Sequence, residues 1–525
     1  MAITMSVGNT PNNQFDEVEA GSASRSLQSH SWLSLLCAAA LLLFADGRNT
    51  IALAAWLAPA LLLRFVRTQP ARRGLAIAYV VLIVTRGVAM RGMVPIPGIF
   101  YYVFLVISGV SALLPYLADR LAAPHYKGVL NTLLFPCTLV AAQFVYSHGP
   151  VGSWGLIPYT QGGNLPLIQL LSVTGLWGIT FLIGWFAAVV NWTWQQGFGG
   201  PRARYPLVLF AGVYFVVILL GEARLALFPP SSPTVRVASL SPTKEGAKIP
   251  DDLLKAVIGG KASGYQLSQF RAVTSAGEDA LLKGSEREAT AGAKIIFWSE
   301  TAAYLLKQDE PDLLARGRAL ASKHHVYLGM SLGTWTPGAQ FPLANKFVLI
   351  EPTGQTAWEY LKARPTPGPE AAMSVKSDGR LRHFDSAYGR LIAAICYDAD
   401  FPRLMAQAGG EQADVVLSPA SDWRGIDPRH TEIASFRAIE QGFNLVPQSN
   451  GGLSAAYDYQ GRRLASMDEY QSTDLTLIVQ VPTRGVRTIY SRLGDWLAWL
   501  SILAVLALIL CVWRKTLRRS LSLTS

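Results

Sequence analysis

Cysteine is scarce in this chain. Four occur in 525 residues: Cys37, Cys137, Cys396 and Cys511. Three of them lie in apolar runs long enough to be membrane helices. Cys396 alone lies in the mixed-composition stretch between about 230 and 490, with no disulfide partner there. A disulfide framework is therefore excluded, and an unpaired thiol is left to explain. Charge is scarce too. Charged residues make up 15% of the chain and hydrophobic ones 50%, a balance too oily for an ordinary soluble protein. The first 30 residues have no basic n-region, and no small-residue cleavage site follows the first apolar run. They imply a disordered tail and a retained first helix rather than a signal peptide. Internal repeats are absent as well.

What is present is uneven. Apolar residues concentrate in the first 228 positions and the last 30, whereas the middle reads as a globular domain large enough for its own core. By length alone the chain accommodates roughly three domains of about 150 residues. The net charge of +11 raises the question of nucleic acid. However, many of the basic residues sit at the ends of apolar segments, which is a signature of membrane orientation and not of a phosphate-binding face.

A membrane helix needs about 20 apolar residues. Eight segments qualify: 31–45, 49–66, 74–91, 98–118, 128–147, 173–194, 206–222 and 494–513. Arg86 lies well inside the third, where a charge is expensive and faces protein or water unless it snorkels to a boundary. Arg64, Arg67, Arg72 and Arg73 follow the second segment, Arg120 and Lys127 the fourth, and Arg202 and Arg204 the sixth. Arg514, Lys515, Arg518 and Arg519 follow the last, while the alternate loops carry little beyond Arg48 and Arg91. The positive-inside rule then predicts eight crossings with both termini cytoplasmic and residues 229–492 outside the cytoplasm. Residues 148–172 fall on that outer side. They are apolar but broken by Gly and Pro, either a plain loop or a segment folded over a site with Trp154 and Tyr159 as anchors. The expected domains are a tail (1–30), seven helices (31–228), the outer domain (229–492), and a last helix with a basic tail (493–525).

In the outer domain, β-rich runs such as "AKIIFWSE", "NKFVLIEPTG", "RLIAAICYD" and "ADVVLSPAS" alternate with helical stretches such as "EPDLLARGRALASKH" and "RHTEIASFRAIEQG". That alternation predicts an α/β fold, a layered sandwich of buried sheets covered by helices. Reactive groups in such folds gather at strand ends. Glu300 follows "IIFWS", Lys362 follows "TAWEYL", and Cys396 follows "LIAAI". Taken singly, a strand-end Cys is usually a small core hydrophobe, and a lone Glu or Lys is usually solvated. Together they form a coherent set: a thiol nucleophile, a carboxylate base, and a cation that favours the thiolate and holds an oxyanion, with the Tyr397 N–H as a second donor.

These segments resemble the nitrilase, or carbon–nitrogen hydrolase, superfamily. "FWSETA", "YLKARPTPGPE" and "ICYDADFPR" resemble the three segments of its Glu–Lys–Cys triad, in the same order. With the apolar halves included, nearly the whole chain past its tail is similar to the bacterial apolipoprotein N-acyltransferase family. The resemblance implies an αββα sandwich placed before the last of eight membrane helices. It implies that Cys396 takes an acyl chain from a phospholipid as a thioester, with Glu300 as base and Lys362 at the oxyanion. Glu370 is implied to orient Lys362. The acceptor is the N-terminal amine of a diacylglyceryl-cysteine apolipoprotein. No metal, cofactor or nucleic acid is implied, and the expected form is a monomer in the inner membrane with its catalytic domain periplasmic. Three features depart from the family, one being that the first membrane segments lack its usual aromatic and proline-rich opening. Asp398 stands where it usually carries Glu, and "SPASDWRG" replaces a longer Asn-containing segment; both point to a changed substrate side. The competing readings are a divergent paralogue that acylates another amine, a non-catalytic membrane scaffold, and a membrane-tethered amidase. Eight helices and an apolar outer loop favour a lipid substrate over the amidase.

Overall fold

The computed structural model describes residues 30–94, 96, 98–197, 200–242 and 249–524. The tail expected over 1–30 lies, except for its last residue, outside them.

Helices occupy each of the eight apolar segments: His30–Leu42, Ala52–Thr68, Ala71–Ala89, Ile99–Ala122, Val129–Ser147, Leu176–Gln196, Pro201–Leu227 and Trp496–Thr524. Five of them, the last five in chain order, are long and apolar enough to cross a membrane. The first is short, and Ala71–Ala89 carries Arg72, Arg73 and Arg86. Arg86 does face protein. Its guanidinium lies 3.6 Å from Asp46, 3.3 Å from the Gly155 carbonyl, and over the Tyr146 ring. Three partners thus offset part of the cost of burying this cation, while its Nε makes no hydrogen bond among the described residues.

The middle of the chain folds into two sheets. The strands are β1 (Thr234–Leu240), β2 (Ile295–Trp298), β3 (Ala303–Leu306), β4 (Tyr327–Trp335), β5 (Leu343–Ile350), β6 (Thr356–Leu361), β7 (His383–Ser386), β8 (Gly389–Ala393), β9 (Val415–Ser421), β10 (Asn444–Asn450), β11 (Leu453–Tyr457), β12 (Arg463–Asp468) and β13 (Thr476–Pro482). One sheet runs β13-β1-β2-β4-β5-β6, with β3 also on β4; the other runs β12-β11-β10-β9-β8-β7. Their inner faces share one core, in which Val237, Phe297 and Phe347 of the first sheet meet Leu391, Val416 and Leu445 of the second. The helices Gly264–Thr290 and Glu310–His324 cover the outer face of the first sheet through Leu281, Leu313 and Leu320. Pro402–Gly410 and Arg429–Gln441 cover the second through Leu404, Met405 and Ala434. The result is the expected helix–sheet–sheet–helix layering. β4 is buried at all nine positions, which explains why its sequence is largely apolar and does not alternate. "EPTGQ" and "DYQGRR" are hairpin turns with Gly354 and Gly461 at φ +83° and +79°, where a side chain would strain the backbone.

The helical part and the sandwich meet along the helix Arg429–Gln441, and also where Gln460 and Arg462 bond carbonyls of the helix Pro201–Leu227. Ile433, Phe436 and Ile439 of Arg429–Gln441 turn away from the sheet and pack with Tyr159, Ile168 and Trp177. Residues 148–164 run between the two parts and are tied to both.

Candidate active site

Three strand ends converge where the sheets face each other. Glu300 lies two residues beyond β2, Lys362 directly follows β6, and both belong to the first sheet. Cys396 lies three residues beyond β8 of the second sheet. Cys396 has φ +51° and Thr301, next to Glu300, has φ +47°, a conformation non-glycine residues seldom adopt. Such strain persists only where surrounding contacts over-determine it, and here it brackets the thiol and the carboxylate.

The carboxylate and ammonium form a closed network. Lys362 Nζ donates to Glu300 Oε1 at 2.6 Å and to both oxygens of Glu370 at 2.9 Å. Asn345 Nδ2 donates to Glu300 at 2.7 Å and to Glu370 at 2.9 Å, so one amide links the two carboxylates. The Ser421 N–H donates to Glu300 Oε2 at 2.9 Å, and the Thr366 N–H to Glu370 Oε2 at 2.8 Å. Burial alone would push the Lys362 ammonium down, but Glu300, Cys396 and Glu370 hold it well above the usual lysine range. Burial likewise pushes the Glu370 carboxyl up, and Lys362 more than reverses it.

The thiol goes the other way. Burial and then the Glu300 charge push Cys396 well above the ordinary thiol range, and Lys362 only partly offsets them. The resting form is therefore the neutral thiol, not the thiolate that a neighbouring lysine alone would favour. Attack then requires a base that takes the proton as the bond forms. Cys396 also opens a short turn, 396–400, with Tyr397 at its start, where backbone N–H groups lack acceptors one turn earlier.

Asp398 sits away from the substrate side. It is fully buried, and it accepts from the Tyr360 hydroxyl (2.7 Å), the Arg364 N–H (2.7 Å) and the Ile395 N–H (3.0 Å). It ties the strand and loop around Lys362 to the turn around Cys396, and burial pushes its carboxyl up to about 6. Tyr397 instead faces the helical part, its hydroxyl donating to the Pro150 carbonyl at 3.0 Å.

The pocket beside Cys396 is lined by Met93, Val94, Val151 and Trp154 from the helical part, and by Tyr397, Asp400, Ile426 and His430 from the sandwich. Trp154 is thus part of its wall, whereas Tyr159 lies behind it. The Tyr159 hydroxyl bonds Ser153 Oγ at 2.6 Å and accepts from Arg437 at 2.7 Å. Ser153 in turn donates through both N–H and Oγ to the Asp400 carbonyl, each at 2.7 Å. The segment 148–164 is therefore clamped onto the turn that carries the thiol.

Sequence reasoning missed the group on the far side of the thiol. His430 Nδ1 lies 2.7 Å from Asp422, and Nε2 lies 3.6 Å from Asp400. A ring nitrogen of His430, an Asp422 oxygen and Cys396 Sγ all lie within 4.8 Å of one another. Such donor types also hold metals, but here burial is outweighed by Asp422 and then Asp400, which raise His430 to about 9. The two carboxylates thus favour the charged ring near neutral pH. The available signal was a histidine opening "RHTEIASFRAIEQG", in a chain with only 7.

Two family models match the chain. One, the apolipoprotein N-acyltransferase N-terminal domain, covers residues 38–189, and the other, carbon–nitrogen hydrolase, covers 261–490. An apolipoprotein N-acyltransferase of Bradyrhizobium diazoefficiens is 27% identical over 429 residues, 75% of each chain. One of Geobacter metallireducens is 25% identical over 491 residues, 85% of this chain and 88% of the other. Among solved structures, an amidase from Nesterenkonia sp. is similar at TM-score 0.37 and 18% identity, covering 48% of this chain and 92% of the amidase. One model thus matches the helical part and the other the sandwich, and across most of its length the chain is similar to proteins named apolipoprotein N-acyltransferase.

Proposed function

We propose that Cys396 carries a fatty acyl chain, as a thioester, from a membrane phospholipid to the N-terminal amine of a diacylglyceryl-cysteine apolipoprotein. The observation that carries this reading is the buried Glu300–Lys362 pair, 2.6 Å apart, brought from one sheet to the thiol on the other. The similarity to proteins named apolipoprotein N-acyltransferase supports N-acyl transfer to lipoproteins by a multi-pass inner-membrane enzyme. The apolar wall given to the pocket by Met93, Val94, Val151 and Trp154 supports a lipid donor.

In this reading Glu300 takes the thiol proton while Lys362 holds the carbonyl oxygen as it becomes an oxyanion, together with the Tyr397 N–H. Glu370 fixes Lys362 and keeps it charged. Trp154 lines the acyl path. The chain crosses the bilayer eight times as a monomer, with both termini cytoplasmic and residues 229–492 periplasmic. The domain limits are those drawn from the sequence.

Complementation tests the reading. In cells depleted of their own N-acyltransferase, this protein restores triacylated lipoprotein N-termini by mass spectrometry, and Cys396→Ala does not. If the wild type leaves only diacylated forms, the proposed acceptor is wrong.

A further inference from the structure

The transfer moves protons at two places, onto the departing oxygen and off the incoming amine, and the pocket beside Cys396 is lined by His430 and not by Glu300. The group leaving a phospholipid ester is a glycerol oxygen, which departs as an alkoxide unless it is protonated. Glu300 already accepts from Lys362, Asn345 and the Ser421 N–H. Of about four lone-pair sites on a carboxylate, one is left, so Glu300 holds one proton at a time.

Across the thiol, the His430 side chain is 5% exposed and lines the Cys396 pocket. Its Nδ1 is committed to Asp422, whose side chain is 1% exposed. Nε2 is buried and makes no hydrogen bond among the described residues, and neither does either carboxylate oxygen of Asp400. A buried histidine with a purely structural role satisfies both nitrogens, because an orphaned N–H forfeits its hydration. The charged groups around the ring are Asp422 after β9, Asp400 on the Cys396 turn, Glu300 after β2, and, behind Asp400, Arg437. The Trp154 ring lies 6.2 Å away, centroid to centroid.

Building on the reading of Cys396 as the acylated thiol, we propose that His430 is a second proton-transfer residue, giving the proton to the departing glycerol oxygen and taking one from the incoming amine. In the first half-reaction Sγ attacks the ester carbonyl, the S–C bond forms, and the thiol proton passes to Glu300. The C–O bond to glycerol breaks, and its electron pair takes the Nε2 proton, which releases lysophospholipid as a neutral alcohol. The acyl-enzyme then holds neutral imidazole and protonated Glu300. In the second half-reaction the neutral amine adds to the thioester and gives one proton to His430. The C–S bond breaks, and the thiolate recovers its proton from Glu300. Amide, thiol, carboxylate and imidazolium remain, so the cycle closes without an outside reagent.

A leaving-group comparison on the full-length protein tests this. Acyl-enzyme formation is timed with dipalmitoyl phosphatidylethanolamine and with p-nitrophenyl palmitate, whose phenolate leaves without a proton. His430→Gln slows the phospholipid reaction by about 10²-fold or more, the usual share of a general acid, and changes the activated ester only a few-fold. Equal slowing of both donors in a variant with wild-type melting behaviour overturns the proposal, as does no slowing. If His430→Gln does not fold, the wild-type pH profile decides. The ratio of phospholipid to activated-ester rate falls as pH rises through about 9, where the imidazolium is lost, and in Asp422→Asn it falls at lower pH. A flat ratio overturns the proposal. A wild type that forms no acyl-enzyme from either donor, or a Cys396→Ala variant that still forms one, refutes the reading of Cys396 instead.

Discussion

The two flanks of Cys396 are built on opposite principles. On one flank, Glu300, Lys362 and Glu370 place three charges in a shared set of short hydrogen bonds, and both oxygens of each carboxylate have a donor, Asn345 Oδ1 being the network's one atom without a partner among the described residues. On the other flank, neither oxygen of Asp400 nor His430 Nε2 makes a hydrogen bond among the described residues, and the two face each other at 3.6 Å. A saturated buried network holds one geometry, and an unsaturated one keeps polar atoms free to meet a reacting group. The contrast teaches that rigidity and reactivity are assigned here to different sides of one sulfur.

The saturated flank breaks most heavily. Lys362→Met leaves two buried carboxylates facing each other without their cation. Losing one partner of a buried ion pair typically costs about 3–5 kcal/mol, and losing one oxyanion donor costs about 10²–10³-fold in rate. Both effects are expected together, in thermal unfolding and in acyl-enzyme formation. Restoring part of the stability by adding Glu370→Gln would confirm that the loss is carboxylate repulsion and not lost packing. If Lys362→Met melts like the wild type, the network is not the rigid flank.

The unsaturated flank depends on how the outer segment grips the Cys396 turn. Gly152 has φ +58°, and a Cβ there would sit 2.5 Å from the Asp400 carbonyl oxygen, the acceptor for Ser153. Gly152→Ala therefore strains the backbone by about 1–3 kcal/mol and pushes the segment off the turn. Misplacing a catalytic group by about 1 Å costs up to ~10²-fold, so acylation by phospholipid is expected to fall by one to two orders of magnitude. An unchanged rate would show that the 148–164 clamp does not set the position of the thiol turn.

The saturated flank was legible in the sequence and the other was not, for physical reasons. Glu300 and Cys396 follow near-continuously apolar runs, which announce buried strands, and Lys362 follows the β-rich but mixed "TAWEYL". Glu370 follows Lys362 by eight residues, close enough to be read with it. By contrast, β7 and β12 present mixed, half-exposed patterns that carry no period-two signal, and they were not picked out. Asp398 read as a substrate-side change because its neighbour is the thiol. In a 396–400 turn the second residue after the thiol points back into the core, and a shorter acid reaches three donors there. The His430 group draws on a turn, a strand end and a helix start up to 30 positions apart. No local pattern encodes that meeting.

The last test reads stability, not rate, and it separates the flanks by the sign of a pH effect. Burial pushes the Asp400 carboxyl up from 3.8 to about 6, against the pull of His430 and Arg437. A carboxyl whose pKa is higher folded than unfolded stabilises the fold fully below its unfolded value. That contribution is lost as pH rises through about 6, and amounts to at most about 3 kcal/mol at 1.36 kcal/mol per pH unit. Asn mimics the neutral acid and has no such loss. The melting temperature of Asp400→Asn is therefore expected to gain on the wild type between about pH 4 and pH 7. Glu370, whose carboxyl Lys362 holds below its usual value, has the opposite sign. Its Gln variant falls behind the wild type as pH rises through the acid range, where the native ion pair forms. If the two variants move in the same direction, ionised Asp400 is as well paired as Glu370, and the unsaturated flank is not a distinct one.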